Sequence, residues 1–418
     1  MNRRAFLYRS SVVAGVGALH SLGLSGCSAG ARLKRGGATH APASAMEPSL
    51  PFYDVPGAIL PIRADLDRIF RITVCLRPFR AAGPRLDVEH VGDKLVVHNY
   101  GHGGSGWSLS WGSADVVVRR AMEAASGMSE CAVLGCGALG LTAALTAQRM
   151  GLRATIYAKE RPPYVRSARA TGSWTPDSRI ALTSAAAPSF ASEWERMART
   201  SFAMYQSYLG SAGTPIEWTD RYHLRDEPHP AGAPAAARLD DHEFAYYRDR
   251  IEDLTPHSQE MPAGSTPFPT RFVGRTSTLT FNVASYSRQL MEEFQIGGGR
   301  IETREFQSPA ELATLPQSTV LNCTGYGARA LWSDESLVPV RGQIAWLIPQ
   351  DGVNYGLLYK DLYVLARRDG IVVQPNPQGD DTGWNDANEE PNRAEAEAGV
   401  RTLQELYGRM GAARRRSG

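Results

Sequence analysis

The sequence predicts an α/β protein: a Rossmann-like dinucleotide-binding domain, with chain enough for a second domain. Three observations predict it. A strand–glycine turn–helix–strand run fills residues 131–160. The chain has 418 residues, the length of two domains or one large one. Its 41 glycines favour tight turns and close backbone approach.

The glycine run reads CAVLGCGALGLTAALTAQRMGLRATIYAKE. An apolar strand from Cys131 to Leu134 enters Gly135, Gly137 and Gly140; a helix over Leu139–Met150 and a strand over Ala154–Ala158 follow. Gly135 permits the tight turn, Gly137 lets the backbone N–H groups approach a pyrophosphate, and Gly140 lets the helix pack on the strand. Ala138 and Leu139 open the helix, whose unsatisfied N–H groups favour an anion. Glu160, preceded by Lys159, stands where an acidic residue would meet the ribose.

Composition excludes several classes. Hydrophobic residues are 43% and charged residues 21%, an ordinary globular mixture. The net charge of +2 argues against a strongly basic nucleic-acid surface, and no nucleic-acid partner is expected. No apolar run reaches eighteen residues, so no membrane-spanning helix is expected. Of the five cysteines, Cys75, Cys131, Cys136 and Cys323 show no metal-ligand spacing. No metal is expected, and the last three read as small buried hydrophobes.

The N-terminus reads as an address. Arg3 and Arg4 before Phe6 and Leu7 resemble a twin-arginine export signal, and Leu24-Ser25-Gly26-Cys27 resembles a lipobox. These imply a twin-arginine export partner, a lipid on Cys27 as the one membrane attachment, and a periplasmic or cell-surface location. Residues 28–51 read as a flexible tether.

Further blocks carry a resemblance. Gly172-Ser173-Trp174-Thr175-Pro176 closes a polar loop, Val320-Leu321-Asn322-Cys323-Thr324-Gly325 ends a strand in a small-residue turn, and Pro339-Val340-Arg341-Gly342-Gln343 opens another strand. Arg77-Pro78-Phe79-Arg80 and the string His98-Asn99-Tyr100-Gly101-His102-Gly103-Gly104 precede the glycine run. The ensemble resembles the FAD-dependent D-amino-acid oxidase family. In that family the last two blocks close the chain, so this sequence looks circularly permuted over roughly residues 66–410. The permuted order predicts that Ile69–Leu76 pairs beside the strands around Tyr363 and Ile371.

The resemblance implies FAD as cofactor and a D-amino acid as substrate, oxidatively deaminated with oxygen as acceptor. Related amine oxidases acting on glycine, N-methyl or acidic D-amino acids stay open, as does a non-catalytic lipoprotein of the same fold. By motif, Arg77 would grip the substrate carboxylate with paired donors; otherwise it is a structural strand arginine, as Arg80 is expected to be. Tyr363 would bond the same carboxylate, and Tyr359 would belong to a lid. Gly103, Gly104, Ser105 and Gly106 form a loop entering a helix near Trp107 and Ser108, and their N–H groups would face the flavin N1–C2=O edge, Gly104 at the reacting centre. Ser167, Thr171, Gly172, Trp174, Thr324 and Gly325 are also implied in FAD binding, with Phe306 near the adenine.

The expected FAD-binding domain joins residues 78–180 and 285–330. The resemblance implies an α+β substrate domain with a large mixed sheet, which joins residues 52–77, 181–284 and 331–410, leaving 1–27 as signal and 411–418 as a tail.

Overall fold

The computed structural model describes residues 59–228 and 242–417. The export signal, Cys27 and the tether lie outside the described residues. Strand β1 (Ile69–Arg80) leads to β2 (Val88–Val91) and β3 (Lys94–His98), then to helix α1 (Gly106–Ala124). The glycine run forms β4 (Glu130–Leu134), α2 (Ala138–Arg149) and β5 (Arg153–Ala158), within a residue of expectation. Next come α3 (Phe190–Gln206), β6 (Ile216–Arg225), the short β7 (Gln259–Glu260), β8 (Phe272–Phe281) and α4 (Val283–Ile296). Strands β9 (Arg300–Thr303) and β10 (Thr319–Asn322) precede the one-turn α5 (Ala328–Leu331). Finally β11 (Leu337–Leu347), β12 (Tyr355–Tyr359), β13 (Leu362–Arg367) and β14 (Gly370–Pro375) lead to α6 (Arg393–Ser417).

Two sheets result. The first has the order β2-β3-β10-β4-β5-β9 and is parallel except for β2. Its inner strands are buried almost throughout, as a parallel sheet covered by helices requires. Leu109, Val117, Leu141, Trp194 and Leu290 of α1–α4 join Val97, Val133 and Leu321 in one apolar core. Helix α3 therefore belongs with this sheet, although residues 181–284 were expected in the substrate domain. The reason is packing: α1 and α3 touch backbone to backbone at Gly112 and Met197, and the Gly112 N–H donates to Ser201 Oγ (2.8 Å).

The second sheet has eight strands in the order β1-β11-β14-β13-β12-β6-β8-β7, antiparallel except at β12–β6. Val400, Leu403 and Leu406 of α6 cover one face. Both sheets lie in one compact unit, residues 56–418.

Two expectations are corrected here. Ile69–Leu76 does not pair beside the strands holding Tyr363 and Ile371; β11 lies between. It pairs with β1 from Ile69↔Leu347 to Arg80↔Leu337, whereas the six residues of β14 would leave half of β1 without backbone partners. The tail at 411–418 is not separate from the last helix, because α6 runs to Ser417. Ala412, Ala413 and Arg414–Arg416 are strong helix formers and continue it.

Candidate active site

One cavity of about 1290 Å³ opens where the carboxyl ends of the parallel strands meet the second sheet. In open α/β sheets ligands bind at this edge, where loops leave adjacent strands. The volume exceeds the range of about 300–1,000 Å³ usual for small-ligand pockets, so it suits a dinucleotide together with a substrate.

At the nucleotide end the wall is the turn after β4: Gly135, Gly137, Ala138 and Leu139. Gly137 caps α2, whose first N–H groups have no acceptor within the helix. The Ala138 N–H donates to Ser167 Oγ (3.1 Å), placing the loop after β5 over the turn. Gly140 is behind the wall; a Cβ there would overlap the Gly135 carbonyl, so it serves packing of the helix start. Lys159 and Glu160 follow β5 on the wall, with Lys159 in an ion pair to Glu305 (3.2 Å). Phe306 lies beside them, edge-on to Tyr157, with the Arg304 guanidinium above its ring. Thr324 and Gly325 after β10 complete this end.

The middle is built by Ser167, Thr171 and Gly172 from one side, and Gly103, Gly104, Gly106 and Trp107 from the other. Three residues expected here are elsewhere. Ser105 donates from its hydroxyl to the Ser178 carbonyl (3.0 Å), Ser108 accepts the Thr175 N–H (2.8 Å), and Trp174 is buried against Phe202. All three hold the wall from behind.

The expected donor role of Gly104 is also corrected. Its N–H donates to the Ser178 carbonyl (3.0 Å), and that of Gly103 to the Pro78 carbonyl (2.8 Å). Gly103 adopts φ +53°, and a Cβ there would overlap the Arg179 carbonyl. The glycine pair exists to seat residues 178–179 against the loop. The donors left over are the first N–H groups of α1, at Gly106 and Trp107.

The far end carries Arg77 and Tyr363. The Arg77 guanidinium is half-buried and donates to the Arg341 carbonyl (3.1 Å); among the described residues no carboxylate forms a salt bridge with it. Burial, then the nearby Arg179 charge, lowers its pKa to about 10, so it stays cationic at neutral pH. Arg80 differs: it bonds Ser336 Oγ and the Gly83 carbonyl and pairs with Asp334 at 3.7 Å, a structural role as expected. Tyr359 is not on the cavity. It packs in the apolar cluster under the second sheet, and its hydroxyl accepts from Arg409 of α6 (2.9 Å).

Several wall residues left no mark in the sequence. Asp380 pairs with Arg179 (3.1 Å) and accepts from the Tyr246 hydroxyl (2.6 Å), so three distant segments close this end. Glu389 joins Arg166 and Arg169 at 2.5 and 3.3 Å. No spacing announces such contacts. Trp384 packs against Phe79 and His242, while Gln374 and Asn376 reach the cavity.

Two cysteines and a histidine of the cavity wall are held neutral by burial. Burial pushes the Cys136 and Cys323 thiols up to about 12, consistent with small buried side chains. His102 bonds Ser113 Oγ (2.8 Å), and burial lowers its pKa to about 3, so it is neutral. Among the described residues no cluster suits a metal ion.

A family profile described as FAD dependent oxidoreductase matches residues 130–418. The chain is 26% identical over 298 residues to a D-amino-acid oxidase of Rubrobacter xylanophilus, covering 69% of this chain and 80% of that protein. It is 24% identical over 258 residues to a D-amino-acid oxidase of Dictyostelium discoideum, covering 60% and 67%. Among solved structures, glycine oxidase from Bacillus cereus aligns with a TM-score of 0.38 at 14% identity, over 59% of this chain and 72% of that one.

Proposed function

This chain belongs to the FAD-dependent oxidoreductase family, with FAD as its cofactor, and we propose that it oxidises D-amino acids to 2-oxo acids and ammonia. The single observation that carries the substrate is Arg77: a half-buried guanidinium on the cavity wall whose hydrogen bond goes to a carbonyl and not to an acid. A cation there attracts an anion, and a substrate carboxylate would pair with it.

The residues present fit the cofactor. The glycine turn and the start of α2 would hold the pyrophosphate, Glu160 the ribose and Phe306 the adenine side. The first turn of α1 would supply N–H donors to the flavin ring. Bound there, FAD would supply the acceptor for the hydride lost from the substrate Cα, with oxygen as the final electron acceptor, reduced to hydrogen peroxide.

The protein's own part is orientation. Arg77 and Tyr363 would fix the carboxylate, so that only one Cα face and one hand of substrate is presented. The amine would bind neutral, so that no proton need be taken from it, and the imino acid product would hydrolyse in water.

We also infer the permuted order, although β1 lies beside β11 and not beside the strands of Tyr363 and Ile371 as that order predicted. Its support is that β3 and α1 precede the matched region, yet β3 pairs beside β10 in the same parallel sheet. Moving residues 56–128 behind residue 418 should then give a protein that still folds and binds FAD. The export route and the lipid on Cys27 rest on the sequence motifs; Cys27→Ser should abolish incorporation of labelled fatty acid.

The deciding experiment is an anaerobic panel of D- and L-amino acids on the purified holoprotein, followed by flavin absorbance. Bleaching by D-amino acids, with peroxide formed on admitting oxygen, is expected. Bleaching by L-amino acids alone, or by amines lacking a carboxylate, would overturn the assignment.

A further inference from the structure

The second sheet contains a buried cation that the proposed chemistry has not used. Arg221 lies mid-strand on β6 and is 3% exposed. Among the described residues it meets no carboxylate. Its Nη2 donates to Thr280 Oγ1 (2.7 Å), its Nη1 donates to the Tyr363 hydroxyl (3.1 Å), and its Nε has no partner. An unpaired buried guanidinium is expensive to keep, so its placement calls for a reason.

The route it takes is specific. Arg221 is opposite Gly356 on β12, and Tyr363 is one strand further on, in β13. The guanidinium reaches Tyr363 across Gly356, where a Cβ would lie 2.5 Å from Arg221 Nη1 and 2.7 Å from its Cδ. The missing side chain is the gap through which the two residues meet.

This contact sets the polarity of the phenol. Because Arg221 donates, the Tyr363 oxygen is the acceptor in that bond. Its own O–H finds no acceptor among the described residues, and Tyr363 lines the cavity. The hydroxyl is thereby left to donate into the cavity, toward an anion.

We propose that Arg221 is a positioning residue: across the gap at Gly356 it holds the Tyr363 hydroxyl as a donor to the substrate carboxylate. The assignment rests on the reading of Arg77 and Tyr363 as the carboxylate site.

The test uses the FAD-loaded enzyme and two readouts. One is KM and kcat for the D-amino acid that bleaches the flavin fastest; the other is the Kd of benzoate, a simple carboxylate, from the flavin spectrum. Arg221→Met should raise KM and the benzoate Kd roughly 10- to 100-fold, the range for a lost charge-assisted hydrogen bond. It should leave kcat within about threefold, since binding and not the chemical step is lost. Arg221→Lys should recover part of the affinity. In a Tyr363→Phe background, Arg221→Met should cost little more, because the contact is already gone. Gly356→Ala keeps the charge but closes the gap, so it should weaken benzoate binding even if Arg221→Met does not fold. An Arg221→Met protein with unchanged benzoate affinity overturns the proposal, as does an equal loss with and without the Tyr363 hydroxyl. If the parent binds no benzoate and no amino acid bleaches it, the carboxylate reading itself fails, and this assignment falls with it.

Discussion

The guanidinium of Arg77 on β1 occupies the space that a side chain at Gly342 on β11 would need: a Cβ there would lie 2.5 Å from Nη1 and 2.6 Å from Cζ. The two strands are antiparallel neighbours, with Leu76 opposite Arg341 and Cys75 opposite Gly342. The bare backbone lets the arginine lie flat on the strand and reach the Arg341 carbonyl (3.1 Å). A residue with a side chain would push the guanidinium into the cavity.

Arg77→Ala should keep FAD, because the nucleotide contacts lie at the other end of the cavity. Turnover of D-amino acids should collapse. Loss of one partner of a buried charge pair costs about 2–5 kcal/mol, roughly 30- to several-thousand-fold in kcat/KM. Arg77→Lys should recover only part, since an ammonium lacks the planar fork. Near-parental kcat/KM in the alanine variant, with FAD bound, would remove Arg77 from the site.

Gly342→Ala leaves Arg77 in the chain but displaces it. Steady-state kinetics should show a raised KM, by roughly tenfold or more, from a misplaced carboxylate clamp. Flavin content measured by absorbance should not change. A variant with the parental KM would mean that the guanidinium has another resting place.

Tyr359 and Tyr363 should separate cleanly. Tyr363→Phe is expected to weaken substrate binding with modest loss of stability. Tyr359→Phe removes the bond from Arg409 under the sheet and should lower stability by about 1 kcal/mol, read by denaturant titration. Its kinetics should match the parent. A kinetic defect in Tyr359→Phe with unaltered stability would restore it to a lid.

His102 predicts a pH dependence of stability. Its folded pKa of about 3 is below the ordinary value of 6.5. The unfolded chain therefore binds a proton that the folded chain refuses. This group's contribution is fully present above about pH 6.5 and is lost as pH falls, by about 1.4 kcal/mol per pH unit until near pH 3. His98 and His223, whose pKa values burial also lowers, add to the same slope. Denaturant titrations between pH 7 and 4 should show His102→Gln losing about one proton's worth of that slope. An unchanged slope would mean that His102 is protonated in the folded state.

At the nucleotide turn, Gly140→Val should abolish FAD binding, since even a Cβ overlaps the Gly135 carbonyl that shapes the turn. The purified protein should be colourless. A yellow variant with parental FAD content would show that the turn can shift without losing the cofactor.

The sequence by itself determined the parts whose residues are contiguous. The strand, glycine turn and helix over 130–149 form from local pattern, and their chemistry follows from backbone donors at a helix start. The strand that carries Arg77 was legible because its motif is local too. Tyr359 and Tyr363 show where that legibility stopped. The family motif put both at one site, but they flank the hairpin turn at Lys360–Asp361. The register opposes Tyr359 to Leu362 and Leu358 to Tyr363. Neighbours along a strand point to opposite faces while opposed residues share one, so the hairpin sends one tyrosine to the cavity and the other to α6. The Gly103–Gly104 pair was recognised for its string, yet its N–H groups are taken by the Pro78 and Ser178 carbonyls. Only tertiary structure decided that, as it decided the meetings of Arg179 with Asp380 and of Arg221 with Tyr363. Those pairs are separated by 201 and 142 residues, and which strands lie side by side, at which register, is set by burying two sheets at once and by no local rule.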